Sequence, residues 1–156
     1  MIELMLKDEV ETLKLGAAIH CALFQEQALT FEIHLKGNLG AGKTTLTRGL
    51  IKNAGWDGVV TSPSYTLCEE YLIGDSLFLH IDLYRISGEE DVEILDLDRR
   101  VAQSKIILIE WPENLQKKRV PDLEVELDHD DNRRTARLIS KNKGFLSITK
   151  AHYEKN

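Results

Sequence analysis

The chain has 156 residues, 42% hydrophobic and 29% charged, and 26 acidic against 20 basic side chains give a formal net charge of -6. That length and composition suit a single domain over residues 1–156 with its own core, and exclude a disordered tail or a disulfide scaffold. The acidic balance excludes a protein that wraps nucleic acid by charge alone.

The opening residues, Met1 to Asp8, are too acidic and too short in apolar length for a signal peptide. No run of about 18 apolar residues is present, so no membrane segment is expected. Cys21 and Cys68 lack metal-ligand spacing and are expected to be reduced, in a cytoplasmic protein. Asp8, with Glu11 three positions on, forms a capping-box pattern. It predicts a helix over Asp8–Phe24, with Val10, Leu13, Ala17 and Phe24 on the apolar face. Phe31 to Leu35 alternates as a strand and runs into Gly37, and Thr44 to Ala54 reads as a helix ended by Gly55.

A loop follows, containing Thr61-Ser62-Pro63-Ser64-Tyr65, and then an edge strand over Thr66–Ile73 with a turn at Gly74-Asp75. Leu77 to Ile81 and Ile106 to Ile109 are strong apolar strands, of the kind covered on both faces in parallel sheets. Between them the acidic stretch Gly88–Val101 predicts a helix with Val92 and Leu95 inward. Leu123–Leu127 and Thr135–Ile139 flank the polar turn Asp130-Asp131-Asn132 as a hairpin, and Phe145–Ile148 is expected to add a last strand. The whole reads as a three-layer α/β fold with a mostly parallel central sheet and an antiparallel extension.

Gly37-Asn38-Leu39-Gly40-Ala41-Gly42-Lys43-Thr44 matches G-x-x-x-x-G-K-[ST] in full, between a predicted strand and a predicted helix. That is the setting of a P-loop nucleotide-binding fold. Small residues let backbone N–H groups close around phosphate oxygens at a helix N-terminus. Residues 38–45, through Thr45, are the expected cradle for ATP or ADP. Lys43 offers a point charge to the β and γ phosphates, and Thr44 a hydroxyl to Mg²⁺. The magnesium shell needs a carboxylate, and two acids end apolar strands at the edge where α/β sheets bind ligands: Asp82 and Glu110. One is expected to hold Mg²⁺ and the other to orient or deprotonate water; spacing alone leaves the two roles open. The hydroxyls of the 61–65 loop are placed either to reach the phosphates or to form a local Pro-fixed turn. Trp111 reads as a residue near the nucleotide, a partner-facing aromatic or a core residue; Trp56 and His80 read as packing residues. No N-K-x-D guanine signature follows the P-loop and no arginine-rich lid is evident, so adenine is favoured over guanine and a small-molecule kinase is the alternative, with a nucleotide-sensing module as a third.

Taken together, GNLGAGKTT at 37–45, TSPSY at 61–65, HIDLYR at 80–85 and IEWPEN at 109–114 resemble one family, the bacterial TsaE (YjeE) ATPases of tRNA threonylcarbamoyladenosine synthesis. The resemblance runs from the first helix to about Gly144. It implies an auxiliary ATPase with weak intrinsic turnover that resets a TsaD–TsaB pair modifying adenosine 37 of tRNA, with tRNA contacted only through that complex. It makes Glu110 the favoured Mg²⁺ ligand and Asp82 the favoured catalytic acid, and it places Trp111 beside the site. It also suggests that Thr12, with Gly16, lies near the nucleotide and that Arg133 of the late hairpin reaches the base or ribose. Two departures stand out: Ser64 replaces a common Thr, and 102–105 lacks a Gly before the third strand.

Overall fold

The alternation of apolar strands and amphipathic helices resolves into one seven-stranded sheet in the order β1-β7-β6-β2-β5-β4-β3. The computed structural model describes residues 1–26, 28–86, 95–99, 101, 104–130 and 133–155, the side chains of Asp130 and Arg133 excepted. In chain order the strands are β1 (Ile2–Leu6), β2 (Thr30–Lys36), β3 (Cys68–Ile73), β4 (Ser76–Asp82), β5 (Ser104–Glu110), β6 (Leu123–Asp130) and β7 (Arg133–Ile139). The helices are α1 (Glu9–Glu26), α2 (Lys43–Asn53) and α3 (Lys143–Lys155). The four central strands β6, β2, β5 and β4 run parallel, and both edges are antiparallel, β7 and β1 on one side and β3 on the other. β2, β4 and β5 are buried along nearly their whole length, as their unbroken apolar runs require.

Three expectations are corrected. Phe145–Ile148 is part of α3, not a strand: Phe145, Leu146, Thr149 and Tyr153 are buried at helical spacing, and Asn142 Oδ1 accepts the Phe145 N–H at 3.0 Å as a cap. The α1 core face is not the one chosen. Val10 and Phe24 are 68% and 81% exposed, whereas Leu15, Ala18, Ile19 and Ala22 face inward. This helix is apolar on two stripes, and packing against α2 and α3 selects one of them. The helix expected over 88–101 lies largely outside the described residues, Val92 included. Its last part, 95–99, is turns, with Asp96 at φ 41°, although Leu95 does pack inward. The strand β1 was not anticipated; its Leu4 and Leu6 alternate into the core beside β7.

All three described helices cover one sheet face, around Phe31, Ile33, Leu35, Leu46, Leu50 and Phe145. On the other face Leu79, Ile81, Ile107 and Ile109 are closed over by Leu83, Leu97, Trp111 and Leu115 from connecting segments. Two buried cations fasten that cover. Lys105 Nζ donates to the Leu97 and Arg99 carbonyls at 2.7 Å each. Arg119 bridges Glu32 of β2, at 2.7 Å, and Asp98, at 2.9 Å. Glu32 also accepts from His34 Nε2 at 2.7 Å.

Burial pushes the Glu32 carboxyl up, but the hydrogen bonds from His34 and Arg119 and the Arg119 charge outweigh it and hold it below its ordinary 4.5. A carboxyl whose pKa is depressed by folding contributes stability above its unfolded pKa and loses it as pH falls through the folded one. Denaturant midpoints are therefore expected to fall as pH drops below about 4.5, and Glu32→Gln to show a smaller drop over that range. Equal slopes for the two proteins would remove Glu32 as the source.

Candidate nucleotide site

Parallel strands carry their C-terminal ends, and the loops that follow them, to one sheet edge. β2 runs into the Gly37–Lys43 loop, β4 ends in Asp82 and β5 in Glu110. Asp82 and Glu110 are direct cross-strand partners, so the two carboxylates sit side by side on the α2 face. The loop backbone depends on glycine at two points. Gly37 (φ 136°) passes so close to β6 that a Cβ would lie 2.2 Å from the Leu127 carbonyl, and Gly42 (φ 106°) turns the chain into α2.

Lys43 is buried, and its ammonium donates to the Gly37 and Asn38 carbonyls, the latter at 2.9 Å, so that it spans the loop. Its ammonium lies 4.0 Å over the Trp111 ring, which in turn packs on Tyr84 at 5.1 Å. Burial lowers the Lys43 pKa, opposed by the charges of Glu110 and Asp82. Thr44 Oγ1 donates to Glu110 Oε1 at 2.9 Å, and His80 Nε2 meets the same oxygen at 2.8 Å. Asp82 is held differently: Ser62 Oγ donates to Oδ2 at 2.5 Å and the Tyr84 N–H to Oδ1 at 2.9 Å. The 61–65 loop therefore folds into the site. Trp111 adopts a left-handed backbone (φ 59°), fixed by its N–H to the Leu35 carbonyl at 3.2 Å.

These groups surround a cleft of about 460 Å³, to which Leu39, Gly40, Thr45, Ser64 and Arg85 also contribute. A second cleft, of about 300 Å³, lies across the loop against the β6–β7 hairpin, with Asn38, Glu126, Asp128 and Arg137 on its walls. Thr12 is buried with its methyl group against Gly42; its hydroxyl donates to the Asp8 carbonyl at 3.2 Å, so it supports the loop from beneath. Gly16 lies away from the loop, in the crossing of α1 over α2. Arg133 opens β7 on the hairpin that walls the second cleft; its side chain lies outside the described residues. His80, Ser62, Tyr84 and Arg85 were not singled out as site residues by spacing. The signal for all four was their place in the TSPSY and HIDLYR stretches around the chosen carboxylates.

The donor set fits the groups expected there. A left-handed glycine loop at a helix N-terminus with one buried ammonium suits polyphosphate. The Thr44 hydroxyl and Glu110 carboxylate are hard oxygen donors suited to Mg²⁺, which takes its remaining ligands from water and phosphate. Among the described residues no three His, Cys, Asp or Glu side chains cluster as a separate metal site.

A model of the family described as "Threonylcarbamoyl adenosine biosynthesis protein TsaE" matches residues 6–139. The chain belongs to the TsaE family. It is 41% identical over 138 residues to the tRNA threonylcarbamoyladenosine biosynthesis protein TsaE of Haemophilus influenzae, covering 85% of each chain. It is 34% identical over 137 residues to the TsaE protein of a Nostoc species, covering 84% of this chain and 80% of that one. The crystal structure of Bacillus subtilis YdiB superposes with a TM-score of 0.64 at 24% identity, over 99% of this chain and 95% of that one, and shows the same fold. The TsaE family takes part in threonylcarbamoyl adenosine biosynthesis. No described helix is long and apolar enough to cross a membrane.

Proposed function

We propose that this TsaE-family chain is a cytoplasmic P-loop ATPase that binds ATP with Mg²⁺, hydrolyses it slowly alone, and acts on a TsaD–TsaB pair in tRNA threonylcarbamoyladenosine synthesis. The observation that carries the reading is the convergence of Lys43, Thr44, Asp82 and Glu110 on one cleft at the C-terminal edge of the parallel strands. Hydrolysis then drives the release or resetting of the pair between turnovers, and tRNA is met only through the complex.

In this reading the loop N–H groups and Lys43 bind and orient the phosphates. Thr44 and Glu110 hold Mg²⁺, which neutralises charge on the β and γ phosphate oxygens when bound. Asp82, already accepting from Ser62 Oγ, orients the attacking water and takes its proton. Trp111 and Tyr84 screen Lys43 and the cleft wall from solvent. The base and ribose are assigned to the second cleft, on the side where the hairpin carries Arg133.

The test is steady-state ATP hydrolysis alone and with purified TsaD–TsaB. Weak turnover that rises at least about tenfold with the pair is the expected result. A rate indifferent to the pair would remove the partner from the reading and leave only nucleotide chemistry. Tight nucleotide binding with no hydrolysis under either condition would make the protein a nucleotide sensor.

A further inference from the structure

His80 is wholly buried in β4, two residues before Asp82 and on the same sheet face. Its Nε2 lies 2.8 Å from Glu110 Oε1. A carboxylate oxygen only accepts, so Nε2 is the donor. The opposite ring atom, Nδ1, is buried with no hydrogen-bond partner among the described residues. An imidazole in a β4 position that is otherwise apolar thus spends its one hydrogen bond on a single carboxylate oxygen. A buried polar ring with half its bonding capacity unmet is costly where a Leu or Val would pack freely.

The geometry accounts for that cost. Oε1 of Glu110 accepts from two directions, from His80 below and from Thr44 Oγ1 on α2 above. The two donors pin the carboxylate in one orientation, and no hydrogen bond to Oε2 forms among the described residues. We propose that His80 is a positioning residue: it locks the Glu110 side chain in the rotamer that presents its carboxylate, with the Thr44 hydroxyl, to Mg²⁺. The inference rests on the Mg²⁺–nucleotide reading above. Outer donors of this kind orient a metal ligand without touching the metal, and losing one typically costs ten- to a hundredfold in metal affinity. Asp82 does not share the device, since its two oxygens answer to Ser62 and Tyr84.

The experiment measures ADP affinity by calorimetry with saturating Mg²⁺ and again with a chelator, for the wild-type chain, His80→Leu and His80→Gln. The ratio of the two affinities isolates the metal-dependent part. The wild-type chain is expected to bind more tightly with Mg²⁺. His80→Leu is expected to lose about tenfold in that ratio while metal-free ADP affinity stays within about twofold. His80→Gln, whose amide N–H reaches a comparable position, is expected to recover most of the loss. An unchanged ratio in His80→Leu overturns the positioning role, and so does an equal loss in both variants, which would mark a packing role. Should the wild-type chain itself show no metal dependence, the Mg²⁺ reading fails and the inference with it, an outcome distinct from the other two.

Discussion

Lys43→Ala is expected to weaken ADP and ATP binding about a hundredfold, the larger end of what removing a charged hydrogen-bond donor costs. Two effects add. The ammonium is the one cation buried inside the loop, so the phosphates lose their nearest positive charge. The same ammonium donates to the Gly37 and Asn38 carbonyls, so the empty loop also loses the group that holds its two ends together. Because Lys43 lies 4.0 Å over Trp111, tryptophan fluorescence is a built-in reporter of ligand entry, and titration of nucleotide against it gives the affinity. Thermal unfolding of the variant should stay close to the wild type, because the cleft is at the surface end of the sheet rather than in its core. An affinity within about twofold of the wild type would remove Lys43 from phosphate binding.

Gly16→Ala is expected to destabilise the protein by about 3 kcal/mol, at the upper end of ordinary overpacking. A Cβ at Gly16 would lie 2.1 Å from the Leu46 carbonyl oxygen and 2.8 Å from the Leu50 nitrogen, both backbone atoms of α2. The contact is reciprocal: a Cβ at Gly49 would lie 2.1 Å from the Leu13 carbonyl. Neither atom can rotate away, so the helices must separate, and with them the buried side chains Leu15, Ile19, Leu46 and Leu50 that fill the crossing. α2 begins at Lys43, so the displacement also reaches the loop, and Thr12, one turn before Gly16, supports Gly42 from beneath. Urea denaturation should show a lower midpoint with an unchanged slope, and nucleotide affinity should fall in proportion to the shift of α2. An unchanged midpoint would mean that the two helices cross with room to spare.

The strand–loop–helix around the P-loop was legible because each part is local. Glycines at 37 and 42 are needed where the backbone turns left-handed, and Lys43-Thr44 must follow at the helix start. Asp82 and Glu110 were legible for the same reason, as acids that end unbroken apolar strands. Their equivalence was not resolved by sequence, because spacing cannot say which acid a neighbour restrains. The structure separates them through contacts distant along the chain: Thr44 and His80 on Glu110, Ser62 and Tyr84 on Asp82.

The sequence by itself determined the P-loop, the parallel α/β core, the hairpin and the family to which the chain belongs. These depend on periodicity, turn chemistry and contiguous motifs that the chain carries in short stretches. Only the tertiary structure decided the buried face of α1, the helical state of 143–155, the pairing of β1 with β7 and the place of Gly16 in a helix crossing. Each was settled by what lay opposite. α1 carries two apolar stripes, and the one that meets α2 without a clash is buried. Phe145 stacks on Phe31 at 5.0 Å only if its segment coils, and a five-residue strand becomes stable only when β7 offers it an edge.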